Sequence, residues 1–172
     1  GQNDIVALVQ GSRATGGPGQ SRLIAFDVES GRVLWRAVPK VFGKNEIFSD
    51  FNSPVTADLD GNGSLEVIVA NSRGISIHNG VDGRALSCET RECAGPAPQL
   101  LTRDPLRATP AVADLNLDGA LDIVIGGGSG GRGRLYGWTG FASLGSSPGS
   151  YPPFSAPWPM WRGSPSHVHS VP

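Results

Sequence analysis

The sequence predicts an all-β chain assembled from a repeated unit, and three observations carry that expectation. First, 25 Gly and 14 Pro in 172 residues interrupt the chain too often for a long amphipathic helix. Second, the breakers separate short Val/Ile/Leu runs instead of forming a low-complexity tract. Third, two stretches match almost residue for residue. One is Ser53-Pro54-Val55-Thr56-Ala57-Asp58-Leu59-Asp60-Gly61-Asn62-Gly63-Ser64-Leu65-Glu66-Val67-Ile68-Val69. The other is Thr109-Pro110-Ala111-Val112-Ala113-Asp114-Leu115-Asn116-Leu117-Asp118-Gly119-Ala120-Leu121-Asp122-Ile123-Val124-Ile125.

The elements follow in chain order. Ile5-Val6-Ala7-Leu8-Val9 is an apolar β-type run. Leu23-Ile24-Ala25-Phe26-Asp27 leads through Ser30-Gly31-Arg32 to Val33-Leu34-Trp35, a strand, turn and strand that read as a hairpin. Ile75-Ser76-Ile77-His78-Asn79, then Asp82-Gly83-Arg84, then Ala85-Leu86 repeats it. Leu135-Tyr136-Gly137-Trp138 followed by Thr139-Gly140 is a third, degraded copy. Each acidic stretch precedes one of the last two hairpins. The predicted unit is therefore strand, acidic loop, strand, variable loop, hairpin, with four strands per unit. That spacing suits a propeller blade.

The opening residues align with the second half of an acidic loop: Gly1 with Gly63 and Gly119, Asp4 with Glu66 and Asp122. Three units follow: 1–50, a partial blade whose first strand is missing; 51–105, a complete blade; and 106–172, a last blade with a Pro- and aromatic-rich tail. Fewer than four blades do not close a ring. The expected partner is the remainder of the propeller, on another chain or upstream in the same precursor, bringing the first half of a loop that Asp4 completes.

Within each complete loop, alternate positions carry oxygen donors. The first offers Asp58, Asp60, Asn62, the carbonyl of Ser64, and Glu66. The second offers Asp114, Asn116, Asp118, the carbonyl of Ala120, and Asp122. A Gly at the sixth position permits the sharp turn, and hard oxygen ligands suit Ca²⁺ over softer metals. An EF-hand is excluded: its twelfth position needs Glu, where this chain has Val69 and Ile125, and strands replace the flanking helices. The alternative is a pair of solvated Asp-Gly turns, but three crowded carboxylates repel one another without a cation.

The pattern Asp-x-Asp/Asn-x-Asp/Asn-Gly-x-x-Asp/Glu followed by a Val/Ile strand resembles the FG-GAP/VCBS repeat, the calcium-loop blade of integrin-like β-propellers. The hairpin from Leu23 to Trp35 resembles a quinoprotein-type propeller repeat. The tail Pro157-Trp158-Pro159-Met160-Trp161-Arg162-Gly163-Ser164-Pro165-Ser166-His167 is similar to the closing segment of secreted bacterial propellers. The resemblance implies Ca²⁺ at both complete loops and a third site shared through Asp4.

Net charge is −1, which excludes a basic nucleic-acid footprint or a polybasic membrane patch, and no apolar run is long enough to span a bilayer. Cys88 and Cys93, the only two cysteines, are spaced to close a small disulfide loop, and this favours an oxidising compartment: extracellular, cell surface or periplasmic. Gly126-Gly127-Gly128-Ser129-Gly130-Gly131 satisfies both a dinucleotide and a nucleophile-elbow pattern, but a strand follows where each requires a helix. The sequon Asn62-Gly63-Ser64 overlaps a calcium ligand. His167 and His169 lack a third metal ligand. Tyr151, Phe154, Trp158 and Trp161 suit either blade packing or stacking on sugar.

No catalytic residues emerge. The expected function is a non-catalytic, secreted, calcium-stabilised module for protein or glycan recognition. The alternatives are part of a propeller enzyme (a polysaccharide lyase or quinoprotein-like oxidoreductase) and a lectin.

Overall fold

A computed structural model of the chain describes residues 4–9, 22–39, 52–71, 74–88, 98–106 and 108–141. Among these residues there are nine strands and no helix: β1 (Asp4–Val9), β2 (Arg22–Asp27), β3 (Val33–Ala37), β4 (Val55–Ala57), β5 (Glu66–Asn71), β6 (Gly74–Asn79), β7 (Ala111–Ala113), β8 (Asp122–Ser129) and β9 (Arg132–Trp138). They form three antiparallel three-stranded sheets in the orders β1-β2-β3, β4-β5-β6 and β7-β8-β9, called here sheets 1, 2 and 3. The architecture is all-β and consistent with a segment of a β-propeller.

Three strands per sheet, where the sequence predicts four, has a local explanation in sheet 2. Ala85-Leu86 does return beside β6, but only through a single bridge to His78. The Leu86 amide donates to the Ile77 carbonyl (2.8 Å), and the chain then turns away, because the Ser87 hydroxyl accepts from the Ile77 amide (2.9 Å). Leu100-Leu101 takes the other end of that edge: the Ile75 amide donates to the Leu100 carbonyl (2.9 Å), and Gly74 bridges Leu101. Two short segments thus share the place of one fourth strand. The Cys88 amide donates to the Pro98 carbonyl (2.8 Å) and ties their far ends together.

Alternation along the strands gives each sheet two faces, and both faces of sheet 2 are covered by its neighbours. Leu23, Ala25 and Trp35 of sheet 1 pack on Val67 and Val69 of β5. From the opposite face of sheet 2, Val55, Ile68, Ala70, Ile75 and Ile77 pack on Val112, Ile123 and Ile125 of sheet 3. The three sheets therefore stack in chain order, face on face.

The first of these contacts turns on one side chain. Trp35 donates its indole N–H to the Gly80 carbonyl (2.8 Å) and lies against Gly83, in the turn after β6. Gly83 adopts φ +75°, closing a turn in which the Asn79 side chain accepts from the amides of Val81 and Asp82. Asp27 heads the equivalent turn of sheet 1, accepting from Glu29 and Ser30. The amides of Ser30 and Glu29 hold its carboxyl below the usual range.

His78 is buried beneath the Gly83 turn. The Gly83 carbonyl can only accept, so Nδ1–H donates to it (3.0 Å) and Nε2 is left to accept from the Ser76 hydroxyl (2.9 Å). Burial holds the imidazole below its ordinary pKa. A Ser–His pair of this kind resembles part of a hydrolytic site, yet both side chains are buried from solvent and so serve packing.

Candidate metal centre

The first acidic loop is the connection between β4 and β5. The register Val55↔Ile68, Thr56↔Val67 and Ala57↔Glu66 closes the ladder at the base of the loop. Asp58 leaves β4 where Glu66 enters β5, and the residues between must wrap around both. The wrapping is held by side-chain-to-backbone hydrogen bonds. Asp58 accepts from the amides of Asn62 (3.0 Å) and Gly63 (2.9 Å). Asp60 accepts from the Asn62 amide (3.1 Å) and side chain (2.8 Å), and Asn62 Oδ1 accepts from the Ser64 amide (2.7 Å). The loop thereby brings Asp58, Asp60 and Glu66 together, with one carboxylate oxygen of each within 4.8 Å of the others, all three side chains buried.

Glu66 is the most constrained member. It is fully buried; Oε2 accepts from the Leu59 amide (2.8 Å), while Oε1 has no hydrogen-bond partner. An unpartnered buried carboxylate oxygen is costly. Burial, with the charges of Asp60 and Asp58 adding to it, pushes this carboxyl from 4.5 up to about 7, against the opposing Leu59 amide. A cation among these oxygens relieves all three penalties, so the residues present fit a hard divalent ion.

The second loop joins β7 to β8 and repeats the pairings of the first, with the side-chain bond between positions three and five reversed in direction. Asp114 accepts from the amides of Asp118 (3.1 Å) and Gly119 (3.0 Å), as Asp58 does from Asn62 and Gly63. Asp122 is fully buried; its Oδ2 accepts from the Leu115 amide (2.9 Å) and its Oδ1 has no partner. Glu66 and Asp122, at the same position of two loops, carry the two unpartnered buried side-chain oxygens of the described residues.

The loops differ in enclosure. Asn116 and Asp118 are exposed and Asp114 half-buried. Position three is Asn116, bonded through its side chain to Asp118 (2.8 Å), so the third carboxylate of this loop stands at position five, where the first loop has Asn62. Ser64 and Ala120 occupy the seventh position; their amides donate to Asn62 and Asp118. Asp4 is exposed, opposite Asp27 in the β1–β2 register, and joins no acidic cluster among the described residues. Cys88 is buried and no described cysteine is a free thiol. Cys93, His167, His169 and the aromatic tail lie outside the described residues.

At Leu117 the loops share a backbone conformation but not a residue type. It has φ +61° where the first loop has Gly61 at +71°, and it is the only described non-glycine residue with positive φ. A leucine there costs about 1–2 kcal/mol, and with its side chain 87% exposed it gains little packing in return. Leu117→Gly is expected to stabilise the protein by up to about 1 kcal/mol, the relief being partly offset by the freer unfolded glycine. Urea unfolding measures it, and a loss of stability would contradict this account of the strain.

The glycine-rich stretch is a β-hairpin: β8 runs through Gly126, Gly127 and Gly128, and turns at Gly130-Gly131 into β9. With no helix following, neither a dinucleotide site nor a nucleophile elbow is present here. What the sequence did not signal is a clasp around Asp104. Its carboxylate accepts from the Tyr136 hydroxyl (2.6 Å), Arg134 Nη1 (2.6 Å) and the Ser129 hydroxyl (3.1 Å). Tyr136 and then Arg134 hold its carboxyl below the usual range. It anchors the connector from sheet 2 onto the β8–β9 hairpin. Asp104 belongs to no repeat, and its three donors lie far along the chain.

A family model described as an FG-GAP-like repeat matches residues 58–125. The match starts at Asp58, the first acidic position of the first loop, and ends within β8, so it spans both loops and the hairpin between them. No curated protein and no solved structure matches the chain.

Proposed function

We propose that the chain is a non-catalytic, calcium-stabilised β-propeller module used extracellularly for recognition of a protein or glycan. The observation that carries the calcium reading is the pair of fully buried carboxylates, Glu66 and Asp122, each with one oxygen lacking a partner and each at the end of an acidic loop. Ca²⁺ would be held in the first loop by Asp58, Asp60, Asn62, the carbonyl of Ser64, and Glu66. In the second it would be held by Asp114, Asn116, Asp118, the carbonyl of Ala120, and Asp122. Bound there, it supplies positive charge and coordination to the oxygens, pinning each strand-to-strand turn and stabilising the folded state by mass action.

Asp4 would complete a third site with the first half of a loop from the remainder of the ring. The units 1–50, 51–105 and 106–172 would be three of its blades, the first of them partial. A Cys88–Cys93 disulfide and loops suited to the millimolar Ca²⁺ of extracellular fluid would support a location outside the cytoplasm. Among the described residues no helix is long and apolar enough to cross a membrane. The FG-GAP-like match supports recognition as the role of such a module.

Isothermal titration of chelator-treated protein with CaCl₂ tests the metal reading. The expected result is two sites, the tighter at the enclosed first loop, together with a rise in melting temperature on adding calcium. No heat and no shift between calcium and EGTA would overturn it.

A further inference from the structure

Asparagine followed by glycine occurs twice in the chain, at Asn62-Gly63 in the first acidic loop and at Asn79-Gly80 where β6 ends. Such a pair carries a chemistry of its own. The glycine's peptide nitrogen can attack the asparagine carboxamide carbon, because no side chain on the glycine shields it. Folding usually forbids the reaction, since the peptide unit must turn to bring nitrogen and carbon together. The two pairs are held in opposite ways.

Asn79-Gly80 is fixed by backbone bonds on both residues. The Asn79 amide donates to the Arg84 carbonyl (2.8 Å), and its own carbonyl accepts from the Gly83 amide (2.9 Å). The Gly80 amide donates to the Leu65 carbonyl (2.8 Å), and its carbonyl accepts from the Trp35 indole (2.8 Å). Both residues are half-buried, and a Cβ added at Gly80 would overlap the Leu65 carbonyl oxygen. The nucleophile is thus held by a carbonyl, a far weaker proton acceptor than a carboxylate. Its peptide cannot turn without breaking the end of the β5–β6 ladder and the Trp35 anchor.

Asn62-Gly63 has none of these restraints. Both residues are exposed, and a Cβ added at Gly63 meets nothing within 4 Å. The Gly63 amide donates to Asp58 Oδ2 (2.9 Å), a carboxylate oxygen within reach of the proton that attack must release. Asn62 Oδ1, where negative charge develops, accepts from the Ser64 amide (2.7 Å). Asn62 Nδ2, the leaving nitrogen, donates to Asp60 Oδ2 (2.8 Å). Oδ1 of Asn79 also has amide donors, from Val81 and Asp82, so the two pairs part at the nucleophile. The second loop lacks the pair: its asparagine, Asn116, is followed by Leu117.

We propose that Asn62 is a site of spontaneous deamidation, a self-modification built into the first loop. The Gly63 nitrogen bonds to Asn62 Cγ, the Cγ–Nδ2 bond breaks, and ammonia leaves with the proton from the Gly63 amide, giving a succinimide. Water then opens the ring. Opening at Cγ leaves aspartate; opening at the backbone carbonyl carbon leaves isoaspartate, with the chain routed through Cβ and Cγ. Nothing but water is consumed. The aspartate product carries a carboxylate at position five, as the second loop does at Asp118, and removes the donor that Asp60 receives from Asn62. This modification goes beyond the calcium reading and needs no metal.

Peptide mapping by mass spectrometry of the full chain, held in EGTA at pH 8, tests it against the same chain unfolded in urea. In urea both pairs are free and should deamidate at like rates. In the folded protein Asn62 should outpace Asn79 by at least about tenfold, since displacement from attack geometry by an ångström costs about 100-fold. No conversion at Asn62, or a ratio no higher than in urea, overturns the proposal. A calcium arm separates it from the metal reading. An ion held by Asp58 and Asn62 Oδ1 together should slow Asn62 and leave Asn79 unchanged. Preference for Asn62 in EGTA with no slowing by calcium would uphold the modification and remove Asn62 from the calcium ligands.

Discussion

Glu66→Gln should reverse the sign of its effect on stability according to whether calcium is present. Without calcium at pH 8 the variant is expected to be the more stable protein. The wild-type carboxylate is ionised there, fully buried and half unpartnered, while glutamine keeps an acceptor for the Leu59 amide without the charge. A carboxyl pushed from 4.5 to about 7 corresponds to about 3 kcal/mol of penalty on the charged form. In millimolar calcium the order should invert, because the variant loses a ligand charge from the first loop and the stabilisation that binding confers.

The pH dependence follows from the direction of the shift. With its folded pKa above its unfolded one, Glu66 binds more protons in the folded state between about 4.5 and 7. Its contribution is therefore fully present below pH 4.5, falls as pH rises through that window, and is lost above 7. Calcium competes with the same proton, so affinity at the first loop should rise with pH up to about 7 and then level off. Chemical denaturation of wild type and Glu66→Gln, with EGTA or calcium at pH 5 and pH 8, measures all of this. Curves that keep the same order in both metal conditions would refute the account.

Gly83→Ala is expected to destabilise the protein by about 3 kcal/mol or more. Two costs combine at that position. The backbone holds φ +75°, worth about 1–2 kcal/mol against an L side chain. The new methyl carbon would also lie 2.5 Å from Cε3 and 2.8 Å from Cδ2 of Trp35, so the indole must move. Displacing it endangers the Trp35–Gly80 hydrogen bond and the packing on Val67 and Val69. Trp35→Ala alone should cost about 3–5 kcal/mol through the cavity it leaves. The double variant separates the terms: with the indole gone the methyl has room, so the two losses should add to less than their sum. Strict additivity in urea unfolding would show that Gly83 acts only through its own backbone.

How far these features can be read in the sequence depends on whether they repeat. The acidic loops and the strands after them were legible because Asp58–Val69 and Asp114–Ile125 spell the same physics twice. The matching backbone-to-carboxylate hydrogen bonds of the loops are its structural counterpart. The hairpins at Gly31 and Gly83 were legible for the same reason. The fourth strand of sheet 2 was not: Ala85-Leu86 reads as an ordinary strand start, and only the Ser87 side chain on the Ile77 amide shows why it stops. The unequal enclosure of the two loops was also hidden, since exchanging Asp and Asn between positions three and five leaves the motif intact. Asp104 had no signal at all. Its clasp depends on Ser129, Arg134 and Tyr136, whose approach is a result of the fold.

The shared edge of β6 bears on how this chain tolerates change. Ala85-Leu86 docks at one end of the strand and Leu100-Leu101 at the other, and the Cys88–Pro98 hydrogen bond fastens the two segments together. Change at one of these two feet can therefore leave the other docked, and amide exchange at Ile75, bonded to Leu100, and at Ile77, bonded to Ser87, reports the two separately.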